Sequence, residues 1–187
     1  MSKTAINFAP VGTAPTHRWN GLERVHPALV RKLQTIYQEM ESGKDGTRCV
    51  MMAVAGYRTQ AEQSAIYAQG RTKPGPIVTY LQTSVHQLGL AADSCFVFLD
   101  GKGRPQPTWD EPFRGAWDEF GKRTEHRGLT WGGDFTFGDT PHVQLISVAE
   151  QKRAFAIWKA LETTDEPHSL KIFWAACERA GLFPADV

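Results

Sequence analysis

The run from Cys49 to Ala55 is apolar at nearly every position yet too short for a helix of ordinary length. It reads as a strand buried on both faces, which demands neighbouring strands and covering layers above and below. Leu90 to Leu99 has the same character and reads as a second central strand. A chain of 187 residues is long enough to supply those layers in one domain without disulfides or a second chain.

The covering elements announce themselves by spacing. Pro27 suits a first helical turn, and Leu29, Val30, Leu33, Ile36, Tyr37 and Met40 recur as one buried stripe, ending near Gly43. Thr59 and Glu62 form a capping-box pattern that opens a second helix, with Ala61, Ala65 and Ile66 facing inward and a stop at Gly70. Arg58 thereby falls at a strand-to-helix junction. Arg71 to Thr83, with Pro74, Gly75 and Pro76, reads as a long loop, and Asp100 to Thr108 as turn-rich chain. A helix is expected over 109–126, a short strand over Leu129 to Trp131, a break at Gly132 and Gly133, and a strand from His142 to Ile146. Within that strand His142, Gln144 and Ile146 share one face, and Val143 and Leu145 the other. Two helices finish the chain, one striped by Ala154, Phe155, Trp158 and Leu161, the other by Leu170, Phe173, Trp174 and Cys177.

Composition narrows the function classes. A formal charge of +1, from 21 basic and 20 acidic residues, offers no basic surface for nucleic acid or an anionic membrane. Cys49, Cys95 and Cys177 are far apart and each sits in apolar sequence, as buried free thiols do. Met1 to Val11 lacks the apolar run of a secretory signal, and no stretch is fit to span a membrane. The expectation is a protein made in the cytoplasm without a signal peptide and without membrane insertion.

Two clusters carry chemistry. Ser84 to Asp93 holds a His and an Asp on either side of Gly89, and Asp139-Thr140-Pro141-His142 supplies a second acid and a second His. Together, His86, Asp93 and His142 offer two imidazoles and one carboxylate, a set that leaves the fourth position of a zinc ion open to water. Cys95 lies two residues after Asp93 and so on the same strand face, but its setting in Cys95-Phe96-Val97-Phe98-Leu99 marks it as a core residue. Asp139, three residues before His142, can reach a water at that position without being a ligand.

With these residues in view, the chain resembles the M15 peptidases of the VanY and phage endolysin type, which share the hedgehog/DD-peptidase fold. The resemblance rests on Gly56-Tyr57-Arg58-Thr59, on Tyr67 to Thr72 with Pro74-Gly75 and Ile77-Val78-Thr79, on SxHxxGxAxD from Ser84 to Asp93, and on Trp131-Gly132-Gly133-Asp134 leading into Asp139-Thr140-Pro141-His142. It runs from about Val25 to Ile146 and is nearest to the branch that cleaves the L-alanyl-D-glutamate bond.

The resemblance implies an α+β fold with a small, mainly antiparallel central sheet flanked by helices, to which this chain adds C-terminal helices. It implies a zinc peptidase domain over 25–147; outside it, residues 1–24, with Pro10, Pro15 and few periodic apolar positions, read as an extended arm, and 148–187 as a helical extension packed upon the domain. One Zn2+ per chain would be held by His86, Asp93 and His142. Asp139 matches the acid that works on the water, Arg58 the arginine that stabilises the transition state, and Ser84 a serine that contacts substrate. Trp131 and Thr79 join the substrate-binding candidates through their place beside the cleft. The substrate would be the stem peptide of peptidoglycan, reached by a monomer after release or delivery to the wall, with a protein partner for export or delivery. A D,D-carboxypeptidase, an injected antibacterial effector and a non-catalytic zinc module are the competing readings. Tyr80-Leu81-Gln82-Thr83 is shorter than the corresponding family segment, and Thr140 replaces a bulkier residue, so the cleft edge should differ.

Overall fold

The computed structural model describes residues 22–42, 49–161 and 166–183; the arm expected over 1–24 falls outside them except for its last three residues, as does Gly43. Leu22–Arg24 form a short 3-10 turn, and α1 then spans Pro27–Ser42. Its buried face is Ala28, Leu29, Leu33, Ile36, Tyr37 and Met40, the stripe that the apolar spacing predicts, with Val30 only partly covered. Glu39 on this helix pairs with Arg123 and Arg127, tying α1 to the third helix.

The sheet is antiparallel throughout. Strands β1 (Val50–Ala55), β2 (Ala91–Leu99), β5 (His142–Gln144) and β4 (Thr130–Trp131) lie side by side in that order, and β3 (Pro105–Thr108) pairs with β2. Phe96 faces Met51 on one side and Thr108 on the other, so β3 and β5 divide one edge of β2 between them while β1 has the opposite edge. The α+β architecture is the one expected, with two corrections to its strands. β1 is not covered on both faces: it is an edge strand whose Met51 and Ala53 are buried while Val50, Met52 and Val54 are half-covered. The turn-rich reading of 100–108 misses β3, whose Pro105 and Pro107 lack the N–H of an interior strand but are tolerated on an edge.

Helix α2 (Gln60–Ala68) has the full capping box at Thr59 and Glu62. Its inward face differs from expectation. Ala61 and Ala65 are exposed, Ile66 is half-buried, and the residue fully covered is Gln63. Helix α3 (Ala116–His126) begins later than the expected Trp109. Glu111 precedes Pro112 and is thereby steered from helical backbone, and its carboxylate instead accepts the free N–H groups of Gly115 and Trp117 at 3.3 and 3.0 Å.

Helices α4 (Val148–Leu161) and α5 (Glu166–Arg179) place Ala154, Phe173 and Cys177 in the same core cluster as Leu33, Phe96 and Phe120. Trp174 of α5 donates its indole N–H to the Leu88 carbonyl at 2.8 Å. Among the described residues no helix is long and apolar enough to cross a membrane. The three cysteines are buried and free, with burial pushing the Cys95 thiol up to about 11.

Candidate metal centre

A 3-10 turn, Val85–Leu88, precedes β2 and carries His86. Ser84 caps it: its hydroxyl accepts from the His86 N–H at 3.4 Å, and the Gln87 amide oxygen accepts the Ser84 N–H at 2.8 Å. The turn closes on Gly89 at φ +63°, where a Cβ would sit 2.3 Å from the Arg24 carbonyl oxygen and 2.8 Å from the Trp174 ring. Only glycine meets both demands, left-handed backbone and the close passage of two neighbours. Four residues on, the register pairs Asp93 of β2 directly with His142 of β5. Residues opposite each other in this way put their side chains on one face of the sheet.

The three side chains converge. His86 Nε2 and His142 Nδ1 each lie 3.2 Å from Asp93 Oδ1, and 3.3 Å from one another. The remaining ring nitrogens are engaged elsewhere. His86 Nδ1 meets the Gly56 carbonyl at 2.7 Å, and His142 Nε2 meets the Gln144 amide oxygen at 3.1 Å. Both outer partners only accept, so the protons sit on those outer nitrogens and two imidazole lone pairs face a carboxylate oxygen. Three acceptors at such spacing repel unless a positive charge lies between them. Ligand atoms roughly 2.0–2.1 Å from a tetrahedral ion stand roughly 3.3–3.4 Å apart, so the trio fits a divalent ion with one position left over.

The surroundings favour that charge. Burial alone would raise the Asp93 carboxyl, but positive charge at the His86 and His142 rings, which a bound cation would supply in place of a proton, holds it far below the usual carboxylate range. Arg58 approaches from the β1–α2 junction, with its Nη2 3.6 Å from Asp93 Oδ2 and its Nη1 donating to Gln63 Oε1 at 2.9 Å. It therefore pairs with the site, while Glu62, its alternative partner one turn along, is occupied in capping Thr59. Asp139 is half-buried at the entrance to β5, near enough to feel Asp93, His142, His86 and Arg58. Burial and then the Asp93 charge raise its carboxyl above the ordinary value, with His142, His86 and Arg58 pulling the other way.

Comparison with known proteins bears on this trio. A family model of the M15 peptidases, described as D-alanyl-D-alanine carboxypeptidase, matches residues 79–145, a segment that contains all three converging side chains and Asp139. The peptidoglycan L-alanyl-D-glutamate endopeptidase CwlK of Bacillus subtilis (strain 168) is 38% identical over 100 residues, which are 49% of this chain and 58% of CwlK. Over residues 79–145 the chain is similar to the M15 peptidases. The crystal structure of the Serratia marcescens L-Ala D-Glu endopeptidase ChiX covers 66% of this chain and 82% of its own, at 23% identity and a TM-score of 0.46. The chain thus spans somewhat more than half the length of the curated relative it matches.

The other residues singled out from the sequence sit around this trio and along the loops beside it. Trp131 lies between two glycines, where a Cβ on Gly121 or Gly133 would come within 2.4 or 2.3 Å of its ring, and it donates its indole N–H to the Thr140 carbonyl at 2.8 Å. It braces the loop before His142. Gly132 serves the same loop, since a Cβ there would lie 2.4 Å from the Asp139 carbonyl oxygen. Thr79 is half-buried, with its carbonyl accepting from Arg71 at 3.0 Å. Arg71 is itself spread over the Tyr67 ring, 3.9 Å from its centroid, and so holds the long loop rather than waving in solvent.

Sequence reasoning missed the supporting amides. Gln63 links Arg58 to the Leu81 carbonyl at 2.7 Å, and Gln144 backs His142. The signal for Gln144 was its place on the His142 face of a strand; for Gln63 no apolar periodicity points to it.

Proposed function

We propose that this chain is a zinc peptidase that hydrolyses the stem peptide of peptidoglycan, at the bond between L-alanine and D-glutamate. The observation that carries the reading is the convergence of His86, Asp93 and His142 at 3.2–3.3 Å with an unligated acid beside them. CwlK, named for that bond, supplies the substrate class. His86, Asp93 and His142 would hold the ion, and a His₂-carboxylate set is among those that catalytic zinc sites use.

A zinc ion held there would supply a Lewis acid and make nearby water more acidic, toward a pKa of about 7. Asp139 takes the proton from the attacking water and hands it to the leaving amine. Its raised pKa makes it the stronger base in the first half of that task, and in the second the proton passes to the far more basic leaving amine. Arg58 is fixed by Gln63 and Asp93, and its guanidinium would stabilise the oxygen that gains negative charge as the carbonyl carbon becomes tetrahedral. Ser84, Trp131 and Thr79 edge the cleft in this reading, with the first two acting chiefly through the backbone they fix.

Defined muropeptides digested with zinc-loaded protein test the reading through the masses of the products. New D-glutamate amino termini are expected. Release of terminal D-alanine alone would identify a carboxypeptidase instead, and intact substrate in the presence of bound zinc would leave a binding module.

A further inference from the structure

The polar chain behind His142 does not stop at Gln144. Gln144 is fully buried, and its Nε2 lies 2.6 Å from the Ile146 carbonyl oxygen, which can only accept. That contact fixes which end of the amide is nitrogen. The other end, Oε1, therefore faces His142 Nε2 at 3.1 Å and, from the opposite element, Gln151 Nε2 of α4 at 3.0 Å. Two donors converge on one oxygen, and neither bond survives if the amide turns over.

We propose that Gln151, which lies beyond the matched segment 79–145, is a positioning residue for the metal ligand His142. Its N–H holds Gln144 with the oxygen toward the histidine. The histidine must then carry its proton on Nε2, and the Nδ1 lone pair is turned toward Asp93 and His86. Were the Gln144 amide to flip, its NH2 would face His142 Nε2 and favour the opposite tautomer, whose Nδ1–H cannot bind a cation. Supporting hydrogen bonds of this kind fix a histidine ligand's tautomer and commonly affect metal affinity by roughly 10- to 100-fold. The proposal rests on the reading of the trio as a metal site.

Charge and hydrogen-bond polarity make opposite demands at this position, and substitutions can set them against each other. Gln151→Glu brings a negative charge near a cation site, which Coulomb's law alone would reward, but it offers Gln144 an acceptor where a donor is required. Gln151→Lys brings the wrong charge but restores the N–H. Gln151→Met keeps the length and offers neither. Zinc dissociation constants, measured by competition with a chromophoric chelator, should rank wild type and Gln151→Lys together, Gln151→Met weaker, and Gln151→Glu weakest, roughly 10-fold or more below wild type. Thermal midpoints of the zinc-free proteins should stay alike. Zinc affinity that follows charge, tightest for Gln151→Glu, overturns the proposal, as does affinity that merely tracks apo-protein stability. A wild type that binds zinc while all three variants equal it defeats this inference alone; a wild type that binds no zinc defeats the metal reading with it.

Discussion

Substitutions at Asp139 and His86 should separate proton transfer from metal binding. Asp139→Asn keeps the shape of the side chain and leaves the trio untouched, so zinc content should stay near one per chain while turnover falls by roughly 100- to 10,000-fold. His86→Ala removes a ligand, and metal and activity should vanish together; zinc analysis beside a muropeptide assay reads both. At this scale the site was legible where chemistry recurs in short words. His86, Asp93, His142 and Asp139 stand in two compact motifs, and the sheet register brings Asp93 opposite His142. What stayed hidden were Gln63, Gln144 and Gln151. An amide's role depends on which donor or acceptor it meets in three dimensions, and Gln63 meets the Leu81 carbonyl across 18 positions of sequence.

Among the elements, α1 was legible because one apolar stripe of helical period meets one core. Helix α2 defeated the same logic. It lies over the site rather than the core, so the side chain it buries is a polar one that steadies Arg58. β3 was hidden by its prolines, which mark turns in most settings and an edge strand here. The turn Val85–Leu88 is where packing and chemistry meet, since Gly89 lets the Arg24 carbonyl and Trp174 close upon it. Gly89→Ala should cost about 2 kcal/mol or more, from the left-handed backbone together with a backbone clash that no rotamer relieves. Thermal denaturation checks this, and a stability equal to wild type would mean that the turn is far softer than its contacts imply.

For the molecule as a whole, acid sensitivity has an identifiable source outside the trio. His26 caps α1, with its Nδ1 accepting the Ala28 N–H at 3.2 Å, and lies against Trp174 and Phe183. Burial, and then the Arg31 charge, lower its pKa to about 4 from 6.5. The unfolded chain therefore takes up this proton first as the pH falls. Its contribution to stability is complete above about pH 6.5 and is lost as the pH drops toward 4. Melting temperatures of the zinc-free protein should fall over that window more steeply than those of His26→Asn, which retains a capping oxygen; parallel curves would exonerate His26. Trp174, which touches His26, also reaches back across 86 positions to the Leu88 carbonyl. On the ribosome, the segment bearing His86 is thus synthesised well before the helix that clamps it, and the turn gains that clamp only once α5 has emerged.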